Sequence, residues 1–450
     1  MPVLEKSIPR VGWRQRFASK AEPLRGAFFW LSAFYLVYCA RPEDWIPGLK
    51  HVPLAKISGI FALLGLFFSA GRSKRSLRDL PREAFYLTAM IALLMVAGLL
   101  SPVWKGGGVY KTIEFSKILV AWALTFLVIT SFNRLRRIIF IQSASVAVIA
   151  VVSLLKGRDH PRLEGVIGGI YSNPNDLAFA IVLSLPFCVA FLLYTKNLPR
   201  KLGWVLAMLA MCTGLFLTAS RGGFITLLIT AAVGLWHFGV KGRRPHLIAA
   251  ALLLIIVVGV TAGGRLKDRF FAISGEDLND SVDVSAHGSY EQRALLMKKS
   301  LEGVVHYPLG IGLGNFPNYS GTWREVHVAY LQIAVEGGIA ACIFYLLFFA
   351  RGFANLRQLR LMRGMDEETA LFAGALHSSL IGFLVGALFA PEAYQYFPYF
   401  AVAYTSVLVA IAREKSQEEV GTAGVSERSP RSQSLWQRRY GKAGELTPVR

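Results

Sequence analysis

Three side chains in this chain are of types that together could hold an anion and move a proton. Arg221 stands in Ala219-Ser220-Arg221-Gly222-Gly223, Arg293 lies in a long polar stretch, and His327 stands where that stretch ends. A guanidinium group can grip phosphate oxygens with two parallel hydrogen bonds, and an imidazole titrates near neutral pH and can act as a base. Taken singly, each residue also has an ordinary explanation. An arginine at an apolar boundary can snorkel to lipid headgroups, one on a helix surface is merely solvated, and a lone histidine is usually structural. For Arg221 the surroundings favour a ligand: Ser220 can cap a helix and leave its N–H groups facing outward, and Gly222 and Gly223 let backbone come close. Glu336, with Gly337 and Gly338, lies inside an apolar run. A buried carboxylate there needs an arginine or a helix N-terminus from a neighbouring span.

The elements that must position these groups are membrane helices. The chain has 450 residues, 54% of them hydrophobic and 12% aromatic, and a mean hydropathy of +0.45, too apolar for a soluble protein. A span needs roughly 17–25 apolar residues. The fold class expected is an all-α integral membrane protein with about twelve spans. They lie near 26–40, 52–70, 84–101, 113–131, 136–155, 176–195, 203–219, 222–240, 245–263, 328–350, 368–390 and 395–412.

The charge sets the orientation. The net charge of +21 raises the question of nucleic acid, but its distribution answers it. Loops after even-numbered spans are basic, among them Arg75, Arg78 and Arg82, then Arg134, Arg136 and Arg137, then Arg200, Arg243, Arg244 and Arg351. With both termini they hold most of the 49 lysines and arginines, which the positive-inside rule assigns to the cytoplasm. Both ends are therefore expected inside, in a bilayer and with no nucleic-acid partner. Residues 1–25 form a basic cytoplasmic N-terminus and no cleavable signal peptide is read there; 26–263 carry spans one to nine, and 328–412 the last three. The tail 413–450 reads as disordered, with Gln437-Arg438-Arg439-Tyr440 able to touch anionic headgroups.

The opposite side has two long loops, Lys156 to Asn175 and Gly264 to Val326. A loop as long as the second should contain helices and a task. Within it Tyr290, Ala294, Met297, Leu301, Val304 and Val305 recur at helical spacing, an amphipathic helix to lie on the membrane or cap a cavity. Pro308 and the run Gly310-Ile311-Gly312-Leu313-Gly314 end it as a flexible turn. The stretch Tyr171-Ser172-Asn173-Pro174-Asn175-Asp176 reads as a turn and N-cap opening the sixth span, on the same outer face.

No HExxH, GxSxG, Walker loop or closely spaced acidic pair appears on the outer side, and Asp277, Asp280 and Asp283 lie in a turn-rich part of the loop. The four cysteines lack CxxC spacing. No cofactor and no metal site is expected, so any phosphate chemistry falls to the arginines.

As a set, these residues resemble the O-antigen ligase and polymerase superfamily, bacterial multi-span glycosyltransferases that use polyprenyl-diphosphate-linked sugars. The resemblance rests on Ser220-Arg221-Gly222-Gly223 opening a span, on Arg293 followed by Pro308-Leu309-Gly310-Ile311-Gly312, and on His327-x-x-Tyr330-Leu331 running to Glu336-Gly337-Gly338. It covers about residues 170–345. Members often have Asn after the histidine, where this chain has Val328. Tyr38-Cys39-Ala40-Arg41-Pro42-Glu43-Asp44-Trp45 further resembles a subgroup of O-glycosylation ligases associated with exosortase systems. The resemblance implies a periplasmic catalytic loop at 264–327, in an inner-membrane enzyme. Arg221 and Arg293 would hold the donor diphosphate, with Ser220, Gly222, Tyr330 and Glu336 also lining the site. His327 would take the proton of an acceptor hydroxyl on a glycan, lipid or protein, with inversion. Ligase and polymerase break the same bond and are not separated by these residues. A transporter or flippase of lipid-linked sugars would instead spread charge through span centres and show internal repeats, and neither pattern is present.

Overall fold

The computed structural model describes residues 24–69, 73–157, 162–163, 171, 173–262, 280–322, 324–362 and 365–428. Every regular element among them is helical. In chain order, apart from single helical turns at Pro42–Trp45 and Leu77–Asp79, they are α1 (Arg25–Ala40), α2 (Leu54–Phe68), α3 (Arg82–Leu99), α4 (Lys105–Val128), α5 (Phe132–Lys156), α6 (Pro174–Tyr194) and α7 (Leu198–Leu217). Then come α8 (Arg221–Leu235, continued by a π-helical turn Trp236–Lys241), α9 (His246–Ala262), α10 (Asp280–His306), the short α11 (Phe316–Ser320), α12 (Ala329–Leu361), α13 (Glu367–Gly386) and α14 (Tyr396–Arg428). Of the acidic stretch Glu276–Asp283, read as turn-rich, residues 280–283 are helical and open α10; its first four residues and the segment Gln437–Tyr440 lie outside the described residues.

Each of the twelve stretches read as a span is occupied by a helix, but among the described residues eight helices are long and apolar enough to cross a bilayer: α3, α5, α6, α7, α8 with its π turn, α12, α13 and α14. The others fall short for identifiable reasons. Helices α1, α2 and α9 have 16, 15 and 17 residues, against about 20 for a full crossing. Helix α4 is longer, beginning at Lys105, and carries Lys111 and an exposed Glu114–Lys117 ion pair in its first half. Phe67 and Phe68 of α2 are nevertheless 74% and 80% exposed, and Val260 of α9 82%. Apolar side chains turned outward in such numbers mark a membrane surface. The chain is a multi-pass membrane protein.

Inside the bundle α12 packs along α3, α14 lies on α4 and α12, and α13 is wedged against α6 and α8. Trp122, Tyr345, Phe348, Phe349 and Tyr399 are fully buried between them. Buried polar atoms bond across helices: Tyr404 donates to Gln142 at 2.6 Å, and Tyr35 shares a 2.8 Å hydrogen bond with Thr125, which satisfies groups that lipid could not. The basic loops meet at one end of this bundle. Arg75 pairs with Glu414 at 2.6 Å, Arg244 with Glu367 at 2.8 Å, and Arg136 with Glu368. Helix α14 runs on to Arg428, so the first part of the tail read as disordered is helical. Its Arg413, Glu414 and Lys415 are good helix formers continuing an existing helix.

Helix α12 is broken, and the break organises the site. Gly338, the tenth of its 33 residues, has φ 85°. The run 308–312, read from sequence as a flexible turn, is keyed into this break. Ile311 N–H donates to the Val335 carbonyl at 3.0 Å, Gly312 N–H to Glu336 at 2.9 Å, and Ile339 N–H to Pro308 at 3.1 Å. Backbone groups released by the broken helix are thus satisfied by protein, as burial requires. Ser101 donates to the Ile311 carbonyl, and the Asn315 amide donates to Ile311 O at 2.8 Å and Trp104 O at 3.0 Å. A Cβ on Gly338 would lie 2.6 Å from the Pro308 oxygen. Gly338→Ala combines a disfavoured positive φ with this clash, and should cost at least about 2 kcal/mol. The expected reading is a clear drop in the thermal midpoint of the detergent-solubilised protein; an unchanged midpoint would contradict the brace.

Candidate active site

Arg221 is the first residue of α8, with almost no loop before it. Ala219 takes a left-handed φ of 50° to make the reversal from α7, a conformation uncommon for a non-glycine residue. Ser220 caps α8, accepting a hydrogen bond from Gly223 N–H at 3.1 Å, as its residue type predicts. Its hydroxyl donates to Asn175 Oδ1 at 2.8 Å, which also accepts from Arg162 at 3.1 Å. Asn175 is in the first turn of α6, whose cap is Asn173. Two helix N-termini, of α6 and α8, are therefore tied side by side, both presenting positive dipole ends. The neighbouring glycines serve packing: a Cβ on Gly222 would sit 2.7 Å from Phe389, and one on Gly223 2.8 Å from Ala178. The close approach they permit is between protein segments, not toward a ligand as the sequence suggested.

His327 is held at the other rim by the start of α12. Ala329 N–H donates to the Ala387 carbonyl at 2.8 Å and Tyr330 hydroxyl to Leu384 at 2.7 Å. Both anchors lie at the end of α13, and Phe389 of the same turn packs on Gly222, so one turn sets the Arg221 and His327 ends together. The Tyr330 hydroxyl, expected to line the donor site, is engaged in this anchor. Val328 needs no polar side chain: Ala329 N–H already has a partner, and Val328 packs on the apolar cluster of Leu296, Ile311, Phe316, Val326 and Val335.

Helix α10 supplies Arg293. Leu296 and Ser300 face inward, and Gly303 crosses close to Val335. Met297, Leu301 and Val305, read from sequence as part of the apolar face, are 48%, 50% and 78% exposed. The face that packs on α12 is therefore rotated from the one read in the sequence. The outward one is left open to a membrane surface.

Arg293 and His327 line one cavity of about 200 Å³ with Arg162, Arg324, Asn173, Asn175 and Gln292. Arg221 begins one residue past Ser220, whose hydroxyl reaches this lining, and its charge helps hold the Arg293 pKa below the usual arginine value after burial. Burial, Arg293 and Arg324 push His327 down to about 4. Its imidazole is neutral at physiological pH, and its buried Nδ1 has no hydrogen-bond partner among the described residues. Arg324 donates to Gln292, and no ion pair among the described residues involves Arg293 or Arg324. A pocket of cations beside a neutral base fits an anion and a proton to be removed.

Glu336 is not in this cavity. Its carboxylate is buried, receives a long 3.4 Å hydrogen bond from Phe316 N–H at the start of α11, and has the Tyr394 hydroxyl beside it. Its partners are the N-terminus of a helix in the long loop before α12 and the Tyr394 hydroxyl, not an arginine or the N-terminus of a neighbouring span. It braces the loop against α12.

Sequence reading missed Arg162 and Arg324, which lie in the two long outer loops singled out by length and become basic lining only when the loops fold together. It also missed an acidic pair. Glu392, between α13 and α14, meets Asp176 of α6, and burial together with Asp176 drives its pKa well above the carboxylate range. Protonated Glu392 can donate to Asp176, a contact between positions too far apart in sequence to be seen there.

Comparison with known proteins adds one finding. No curated protein matches the chain. Residues 206–346, which hold α8, α10 and the first half of α12, and with them Arg221, Arg293, Arg324 and His327, match the family described as O-antigen ligase.

Proposed function

We propose that the protein transfers a glycan from a polyprenyl-diphosphate carrier to an acceptor hydroxyl at the periplasmic face of a bacterial inner membrane. The observation that carries this is the convergence of Arg293, Arg324 and neutral His327 on one cavity beside Arg221, inside the segment that matches the O-antigen ligase family. The arginines bind the diphosphate and stabilise it as negative charge gathers on the leaving oxygen. His327 accepts the acceptor's hydroxyl proton. The new bond forms from that oxygen to the anomeric carbon while the carbon–phosphate oxygen bond breaks, with its electron pair leaving on the diphosphate. Attack from the face opposite the diphosphate inverts the anomeric centre. In this reading α1, α2, α4 and α9 also cross, giving twelve crossings with both termini cytoplasmic and the cavity on the periplasmic side. The assignment to the exosortase-associated ligase subgroup rests on the sequence Tyr38–Trp45 alone.

Ligase and polymerase share the donor step, and a flippase would share only the binding. The purified protein in liposomes, given a polyprenyl-diphosphate glycan and an acceptor, is expected to release free polyprenyl diphosphate in step with glycosylated acceptor. Movement of intact donor across the bilayer with no such release would replace transfer by transport.

A further inference from the structure

A second cavity lies at the opposite end of the bundle, where transfer has no use for it. It sits between the start of α5, the end of α6 and the start of α7, and has a volume of about 870 Å³. Pockets that enclose a small ligand run to roughly 300–1,000 Å³. Its rim carries Arg136, Arg137 and Arg200, and its wall is built from Phe140, Phe191 and Trp204. Trp204 stacks on Phe191 with ring centroids 5.0 Å apart and meets Phe140 edge-on at 5.5 Å, a firm aromatic panel. Along α5 the lining passes from Arg137 to Ala147, about 15 Å at the helical rise. One end is basic and the other apolar.

The rim carries net positive charge. Arg136 is committed, paired with Glu368 and lying 4.7 Å over the Tyr194 ring. Arg137 and Arg200 are exposed and take part in no ion pair among the described residues. Beside the mouth Leu198, Leu202 and Leu206 are 76%, 56% and 56% exposed, so the groove opens sideways onto a lipid-facing surface. At Gly203, in the lining, an added Cβ would meet nothing within 4 Å.

We propose that this groove binds an anionic phospholipid, its phosphate between Arg137 and Arg200 and one acyl chain against Phe140, Phe191 and Trp204. The charge complements a phosphate with no neighbouring ammonium, and basic pockets between membrane helices select such headgroups. A free phosphate would use the rim and leave the apolar length below it empty. A zwitterionic lipid would bring its own cation toward the arginines. The bound lipid would pin the α6–α7 connection to α5, beneath the helix ends that carry Asn175 and Ser220.

The test uses the full chain, purified in detergent and observed by native mass spectrometry with phosphatidylglycerol, phosphatidylcholine or inorganic phosphate added. Phosphatidylglycerol is expected to stay bound at concentrations where phosphatidylcholine does not. The double variant Arg137→Gln/Arg200→Gln should weaken its retention about thirtyfold. Gly203→Phe should weaken it as well, by filling the groove while keeping every arginine. If the double variant does not fold, Gly203→Phe decides alone. Equal retention of the two lipids overturns the proposal, and so does full retention by the variants. Retention of inorganic phosphate as tight as that of phosphatidylglycerol would also overturn it, by showing that the rim alone accounts for binding.

Discussion

Replacing His327 with alanine is expected to lower transfer by about 10²- to 10⁴-fold, the contribution of a positioned general base, while membrane insertion and thermal midpoint stay at parental values. The pH profile is the more discriminating measurement. In the empty cavity burial and two cations hold the imidazole near a pKa of about 4. A lowered pKa means the neutral, proton-accepting form persists far below neutrality. The value of kcat/KM for the donor, which follows the free enzyme, should therefore stay flat down to about pH 5 and fall only below it. Once a diphosphate lies among Arg293 and Arg324, their charge is offset and the imidazole becomes more basic. The acid limb of kcat should then sit at higher pH than that of kcat/KM. Arg324→Gln removes one cation, so it should move the kcat/KM limb upward. A kcat/KM limb at the ordinary histidine value of about 6.5, unmoved by Arg324→Gln, would take the base role away from His327.

The second large effect belongs to the arginines. Arg221→Ala and Arg293→Ala should each abolish measurable transfer with insertion intact. Arg293→Lys asks a finer question, because it keeps the charge and removes the planar fork. Charge that develops on a leaving diphosphate is best met by donors already in place, and losing one such donor costs about 10²- to 10³-fold in kcat. The lysine variant should lose that much in kcat with a smaller change in donor KM, since the interaction strengthens toward the transition state. Near-parental kcat in the lysine variant would reduce Arg293 to a point charge that attracts the donor. A rise in KM alone would make it a binding group only.

The helical stretches were legible because membrane helices write themselves as long apolar runs, and the grouping of basic loops at one end followed from their charge. The number able to cross was less legible. An apolar run does not say whether its helix will be 15 or 20 residues long, as α2 demonstrates. At the site, Arg221 could be read from its place after a helix cap, and Ser220 performs that capping. Arg293 and His327 could be suspected from residue type and position. Their meeting depends on α10 folding back onto α12, a tertiary event with no local signal. The inward face of α10 was misjudged because Leu296 and Ser300 are selected by a close crossing at Gly303, not by hydrophobicity alone. The glycines were the hardest to read. Gly222 and Gly310 could equally have served a ligand, and only their neighbours Phe389 and Glu336 reveal what fills the space.

The broken helix α12 has a consequence for how such proteins can be recombined. His327 stands just before its first half, the break at Gly338 follows its end, and residues 308–312 close back across that break. Base, half-helix and outer brace therefore form one rigid cassette, with its seams on either side rather than at the membrane boundary. A chimera that swaps only the outer loop cuts through this lattice of amides and carbonyls and leaves unmatched halves. One that exchanges residues 280–339 as a block keeps these brace bonds within one parent, and moves Arg293, Arg324 and His327 together against an unchanged Arg221.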